Sequence, residues 1–235
     1  MKYTILHILC EGSTEERFVK VVLAPYLRQF SIHAKPVILL TSRKKSSRGG
    51  MLGYAQAKRD LSLLRKQYSD NDSECHIFTT MFDYYALPDD FPGFKSLVDI
   101  NDVRLRVSLL EEKFAEDFAD ASFVPYIQLH EFEALLFVDI SRLQNYYPLS
   151  AKRIVNLKNE TDAYGDPEMI DNGRDTAPSK RIIKALAPDY NYNKVLSGAA
   201  VTYAIGMDAM LAGCRHFREW IDRIKLLAKV DSQAF

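Results

Sequence analysis

Carboxylates recur at the ends of apolar runs in this chain. Glu11 follows Tyr3 to Leu9 and Cys10, Asp83 follows Cys75 to Phe82, and Glu131 with Glu133 follow Phe123 to Leu129. As parallel strands of one open sheet, these runs would end at a common edge, the edge where ligands of such sheets collect. Carboxylates gathered there repel and raise one another's pKa unless a cation neutralises them, and hard oxygen donors suit Mg²⁺ or Mn²⁺. An ion held in this way activates water and offsets charge developing on a phosphodiester, the chemistry of nucleases and topoisomerases.

Each acid also has a plainer use. Ser13-x-x-Glu16 reads as a capping box at a helix start, and Glu15 in that first turn favours the helix dipole. Glu11 has no such explanation, and Gly12 beside it permits close approach of backbone to a ligand. Asp83 is either a ligand or a turn former at a strand end. Glu131 and Glu133 point the same way if their segment is extended. Flanked by Phe132 and Ala134-Leu135-Leu136, they are costly without a cation or hydrogen bonds. His130 is either a ligand or a polar residue supporting the acids; Ala134 stands where HExxH has its second histidine, so that zinc motif is absent. No P-loop, dinucleotide-binding glycine fingerprint or nucleophile elbow occurs, so nucleotide hydrolysis by the chain alone is not expected.

The elements that must position these acids alternate. Strand Tyr3 to Leu9 leads into a helix near Ser13 to Leu27, with Phe18, Val21 and Val22 as its apolar face and Pro25 bending or restarting it. A second strand, Pro36 to Leu40, precedes a polar basic stretch from Thr41 to Gly50 and a helix from about Tyr54 to Tyr68. The third strand, Cys75 to Phe82, is followed by breaks at Pro88, Pro92 and Gly93 and by a helix near Asn101 to Phe118. Phe123 to Leu129 is the fourth strand. Residues 1–140 therefore predict an α/β core with a mainly parallel four-stranded sheet between helices, and 141–235 predict a helical C-terminal elaboration packed on it.

With 235 residues, 47% hydrophobic and 26% charged, the chain suits one large domain or a smaller one with an elaboration. Its formal charge is zero, so any nucleic-acid binding must come from local patches. Cys10, Cys75 and Cys214 form no CxxC pair, which argues against a disulfide framework and fits a cytoplasmic location. The first apolar run is too short for a signal sequence, and no segment approaches a membrane span.

Two basic segments are candidate phosphate contacts. Thr176-Ala177-Pro178-Ser179-Lys180-Arg181 reads as a helix start, where Lys180 and Arg181 oppose the helix dipole unless an anion sits between them and the free amides; ordinary exposed charges are the alternative. Arg43, Lys44, Lys45 and Arg48 either follow a nucleic-acid backbone or form a solvated loop. His216 and Trp220 share a helix face, which suits packing of the C-terminal helix.

Glu11-Gly12-Ser13-Thr14-Glu15 resembles the EGxxE motif of Toprim domains, in the branch that includes the overcoming-lysogenization-defect nucleases, and His130 to Leu135 resembles that branch's later ExE element. Glu11 to Phe18, Phe82-Asp83-Tyr84-Tyr85-x-x-Pro88, Gln128 to Phe137, Thr176 to Arg181 and Cys214-x-His216-Phe217-x-x-Trp220 are together similar to the bacterial family known as domain of unknown function 4276. The resemblance implies a Toprim-like core and Mg²⁺-dependent cleavage of DNA or RNA, with metal held by Glu11, Asp83 and Glu131 or Glu133, and with Glu15 in support. Where Toprim domains carry DxD after the third strand, Tyr84 and Tyr85 follow Asp83, so Asp89 or Asp90 would have to fold back to supply a second aspartate. The missing aspartate also suits a different role, a non-catalytic binding or regulatory subunit working with a separate ATPase.

Overall fold

A computed structural model describes residues 2–39, 51, 53–71, 73–171, 173 and 175–233. Strands β1 (Tyr3–Cys10), β2 (Ile32–Ile38), β3 (Glu74–Asp83), β4 (Phe123–Val124) and β5 (Ile127–Gln128) form a parallel sheet in the order β2-β1-β3-β4, with β5 also beside β3. The α/β architecture read from the sequence is therefore present. Alternation along the strands divides the core. Leu6, Ile8, Ile77 and Met81 face one apolar cluster, whereas Leu9, Phe78 and Phe82 face the other.

Helices α3 (Tyr54–Gln67) and α4 (Val103–Phe118) cover the second face with Leu61, Leu64, Val107, Leu110 and Phe114. The first face is covered by α1 (Ser13–Phe18), α2 (Ala24–Arg28) and the C-terminal helices. These are α5 (Ala151–Thr161), α6 (Pro178–Leu186), α7 (Lys194–Ile205), α8 (Met207–Gly213) and α9 (Arg215–Gln233). Residues of α9, including Trp220 and Ile221, lie in the same apolar cluster as Leu6 and Ile8 of β1. Among the described residues no single helix is long and apolar enough to cross a membrane.

Several boundaries differ from the sequence reading. The second strand begins at Ile32, not Pro36; Pro36 is tolerated because β2 pairs only with β1 and lies at the edge. The expected fourth strand is split at Pro125, which has no N–H for the ladder. Side chains bridge the break: Thr80 Oγ1 donates to Tyr126 O at 2.9 Å and accepts from Tyr126 N at 3.0 Å, while Thr79 Oγ1 donates to Val124 O. The first long helix contains a π turn, Val19–Leu23, immediately before Pro25, whose ring nitrogen cannot donate to the preceding turn. That extra residue turns Val19, Val22 and Leu23 inward with Phe18 and leaves Val21 exposed.

The ends of α4 and α9 are fixed by acids. Asp102 accepts from Arg104 N and Leu105 N at 2.9 and 3.1 Å. Glu168, fully buried, accepts from His216 N at 2.7 Å and Phe217 N at 3.0 Å. Those bonds set α9 so that Trp220 and His216 both stack on Tyr126, at 4.1 and 5.4 Å between ring centres, and Trp220 Nε1 donates to Thr79 Oγ1 at 2.9 Å. His216 and Trp220 thus serve packing of the C-terminal helix.

Burial pushes Glu168 from its ordinary 4.5 up to about 7, against the pull of His216 and the two amides. Over that window the folded state holds a proton that the unfolded chain releases, so this group's contribution to stability falls as pH rises from about 4.5 to 7. Glu168→Gln keeps an oxygen acceptor and removes the titration. The stability difference between wild type and variant, measured by urea unfolding at the two ends of the window, should shift in the variant's favour by at most about 3 kcal/mol. A constant difference would mean that the carboxylate stays ionised throughout.

Candidate functional site

The carboxyl ends of β1, β3 and β5 meet as the alternation predicts, and a relay of carboxylate-to-amide bonds ties them together. Glu11, directly after β1, accepts from the backbone N–H of Asp83 at 3.1 Å. Asp83 Oδ1 accepts from the N–H of Phe132 at 2.9 Å. Glu131 accepts from the N–H of Ser179 and, at 3.0 Å, from its hydroxyl, so the start of α6 is joined to the same edge. Each acid thereby positions the segment that carries the next.

Glu15 enters the group through a cap. The expected capping box at Ser13 and Glu16 lies one residue earlier: Gly12 is the N-cap, and Glu15 Oε2 accepts from its N–H at 2.9 Å. Gly12 is extended, with φ of −152°, and its neighbour Glu15 takes the amide that would otherwise be offered to a ligand. Glu16 instead pairs with Lys20 at 2.7 Å on the surface. Glu15 is buried and Glu16 is not, because only the cap bends its side chain back under the strand end.

Glu133 follows from the 3₁₀ helix Phe132–Val138, which begins where the chain leaves extended geometry at Glu131. His130 before it is in the left-handed region, φ 60°, at a cost of about 1–2 kcal/mol for a residue with a side chain. Its carbonyl accepts from Tyr85 N at 2.9 Å, which holds the turn. Burial lowers the His130 pKa, and its Nδ1 is enclosed with no hydrogen-bond partner among the described residues.

The sequence reading missed Lys194, the first residue of α7. Its Nζ lies 3.6 Å from Glu131 Oε2 and 3.1 Å from Glu133 Oε1. Gly198, one turn on, makes this approach possible, since a Cβ there would lie 3.0 Å from the Phe132 ring. Burial would lower the Lys194 pKa, but Glu133, Glu131 and Asp83 hold it above its ordinary value. Because Lys194 is some sixty residues from the acids in sequence, no local spacing signals it.

One ammonium does not neutralise this edge. Burial, and then Glu15, push Glu11 up to about 7, although the Asp83 amide and Lys194 pull it down. Burial likewise lifts Glu133 to about 7 against Lys194, and raises Glu15 despite its bond to Gly12. Asp83 keeps some exposure, yet burial followed by the charges of Glu15, Glu11, Glu133 and Glu131 pushes it well above its ordinary value. All five acids thus act on one electrostatic neighbourhood.

Hard oxygen donors in excess of cations are the chemistry of a divalent-metal site; at Glu133 the Lys194 ammonium donates to Oε2 at 3.2 Å, while the buried Oε1 has only that ion pair at 3.1 Å and no hydrogen bond among the described residues. The donor set fits Mg²⁺ or Mn²⁺. The side chains are, however, turned to amides and to Lys194, and no group of three or more acidic, histidine or cysteine side chains among the described residues stands ready to hold a metal. An ion at Glu11, Asp83, Glu131 or Glu133 would therefore displace some of these bonds.

The remaining candidates are placed as follows. At the first turn of α6 it is Glu131 that accepts from the Ser179 N–H and hydroxyl. Arg181 is committed within the chain, donating to Thr176 O at 2.6 Å and to Tyr164 OH at 2.9 Å and pairing with Glu160 at 3.1 Å; Lys180 is exposed. Arg43, Lys44, Lys45 and Arg48 lie outside the described residues. Asp89 and Asp90 do not replace the missing second aspartate: Asp90 accepts from Tyr54 N at 3.0 Å at the start of α3, and Asp89 is exposed. Tyr85, in the place of that aspartate, is exposed and donates its N–H to His130 O at 2.9 Å, while Tyr84 before it accepts from Arg106 Nη1 at 2.8 Å.

No curated protein matches this chain. A solved structure of the C-terminal region of the Xanthomonas campestris pv. campestris OLD protein is similar at 15% identity over 97% of each chain, with a TM-score of 0.41. The model of the family described as domain of unknown function (DUF4276) matches residues 10–225, and the chain belongs to that family.

Proposed function

We propose that this protein is a divalent-metal-dependent, nuclease-like enzyme that cleaves phosphodiesters of DNA or RNA, with Glu11, Asp83, Glu131 and Glu133 as the residues that hold Mg²⁺ or Mn²⁺. The observation that carries this reading is the group of five carboxylates around one ammonium at the carboxyl edge of a parallel sheet, with Asp83, Glu11 and Glu133 all pushed upward. Bound there, the ion would supply Lewis-acid stabilisation of charge developing on the phosphodiester.

The chain's own residues supply the remainder. The amide relay fixes the spacing of the acids on rigid strand ends. Glu15 adds negative charge behind Glu11 and Asp83, which strengthens their demand for a cation. Lys194, with a side chain 44% exposed, reaches in from the surface and is the one described cation placed to meet both the acids and an incoming phosphate.

Tyr85 in place of a second aspartate, exposed and with no carboxylate to offer a second metal, favours a second reading: a metal-binding or regulatory subunit that works with a separate ATPase and does not cut. The decisive assay incubates labelled DNA and RNA with the protein and Mn²⁺ or Mg²⁺. Glu11→Gln should lower cleavage by about 100-fold or more, and EDTA should abolish it. Mn²⁺ binding with both substrates intact would replace the enzyme by the subunit.

Metal and charge also predict opposite effects at one residue. Asp83→Asn retains an acceptor for Phe132 N and removes a charge from the crowded edge, so in EDTA its stability should rise by about 1 kcal/mol. Wild type should gain about 2.7 kcal/mol from Mn²⁺ at roughly 100-fold excess over its Kd, and the variant should lose that gain. Thermal unfolding with and without Mn²⁺ measures both; loss of stability in EDTA would make Asp83 a structural acid.

A further inference from the structure

Folded proteins leave few buried polar atoms without a hydrogen bond, and each one that remains calls for a reason, strain or function among them. Among the described residues four buried side-chain atoms have none: Arg104 Nε, His130 Nδ1, Glu133 Oε1 and Tyr192 OH. Two of these belong together. Tyr192 lies two residues before Lys194, and burial, followed by the charge of Glu133, raises its pKa well above the ordinary value; Glu131 acts in the same direction. The hydroxyl therefore keeps its proton and can donate, and an ionised Glu133 can only accept. Yet the two do not meet at hydrogen-bonding geometry.

Both partners are held where they are by other contacts. Asn193 caps α7 by accepting from Leu196 N at 3.1 Å, and its own N–H donates to Tyr147 OH at 3.5 Å. Tyr147 OH is bonded in turn to Ser197 Oγ, so the start of α7 is tied down directly after Tyr192. The Tyr192 ring packs against the apolar cluster on the first face of the sheet, which fixes the end from which its hydroxyl projects. Glu133 is held by Lys194, whose ammonium lies 3.2 Å from Oε2 and 3.1 Å from Oε1 and so spans the carboxylate. The carboxylate is turned to the lysine, and the hydroxyl near it is left unused.

A carboxylate that has let go of Lys194 would use that hydroxyl. A metal-ligating carboxylate offers an oxygen in a set direction, and hydrogen bonds to its remaining lone pairs keep it there. Tyr192 suits this task because its buried O–H carries no charge, so it orients the carboxylate without repelling an incoming cation. We propose that Tyr192 is a positioning residue for Glu133, donating to the carboxylate that Lys194 releases and fixing it for a divalent cation at the sheet edge. The side chain that leaves Glu133 and the one that then holds it thus arrive on one three-residue segment, Tyr192-Asn193-Lys194. This inference rests on the metal-binding part of the proposed function and not on cleavage.

Tyr192→Phe removes the hydroxyl and keeps the ring. Binding of Mn²⁺ alone to the full chain is measured by isothermal titration calorimetry, and thermal unfolding is followed in EDTA by circular dichroism. The variant should bind Mn²⁺ about 10-fold or more weakly than wild type. Its Tm in EDTA should equal or exceed that of wild type, because a buried hydroxyl without a partner adds nothing to the metal-free fold. Tyr190→Phe is the control, removing a hydroxyl that accepts from Leu149 N at 3.3 Å; it should leave Mn²⁺ affinity within about 2-fold. A lower Tm of Tyr192→Phe in EDTA overturns the proposal whatever the affinity, since the hydroxyl would then be bonded in the metal-free fold. Equal Mn²⁺ binding by wild type and Tyr192→Phe, or equal weakening in Tyr190→Phe, also overturns it and leaves the metal reading standing. No Mn²⁺ binding by wild type overturns both.

Discussion

The constraint on which the structure depends is the crowding of negative charge at one end of a parallel sheet. Five acids share a place that a protein interior penalises, and the chain answers with backbone amides and one lysine. Because Glu11 takes the amide of Asp83, Asp83 that of Phe132, and Glu131 that of Ser179, each bond that softens the charge also joins two segments distant in sequence. The acids consequently act as the clamps between β1, β3, the turn after β5 and α6. Removing a whole side chain would loosen the edge, whereas an amide in place of a carboxylate leaves the clamp and removes the repulsion.

The edge is held from behind by contacts that bear no charge. Pro125 interrupts the last strand, and Thr79 and Thr80 fill the gap with hydroxyls. Thr79 also receives the indole N–H of Trp220, so the repair of the sheet and the seating of α9 depend on one side chain. Glu168 fixes the start of α9, and the stack of Trp220, Tyr126 and His216 fills the layer beneath. His216 closes the layer by bonding to Glu111 at 3.0 Å, which itself accepts from Ile127 N at 2.9 Å in β5. The turn carrying Glu131 and Glu133 thus follows a strand fastened on both faces.

What the sequence revealed and concealed follows from range. Strand ends at Glu11 and Asp83 are legible because strands buried on both faces read as continuous apolar runs, and the polar residues that stop those runs are local. The capping box was displaced by one residue because Gly12 and Ser13 are both acceptable N-caps, and the choice falls to the place Glu15 finds beneath the strand end. The split at Pro125 was concealed because the hydroxyls that make it tolerable sit on another strand. Lys194 was invisible for the same reason: it has no spacing relation to the acids, and its seat depends on Gly198 passing close to Phe132. At the start of α6, where the sequence allows either an anion or ordinary exposed charges, the chain's own Glu131 accepts from Ser179, a partner that lies 48 residues away.

Lys194 also decides how the edge can change state. An ammonium satisfies carboxylates without fixing their geometry, because its three donors rotate and it demands no coordination number. A divalent ion demands convergence, so under the proposed function its binding would require Glu11 and Asp83 to leave their amides or Lys194 to leave Glu131 and Glu133. The second exchange would disturb fewer backbone bonds, since Lys194 is half exposed and could turn toward water, whereas Glu11 and Asp83 each hold a backbone amide of another segment. Lys194 therefore offsets part of the charge of Glu131 and Glu133, and under the proposed function it would be the counter-ion that yields to a metal.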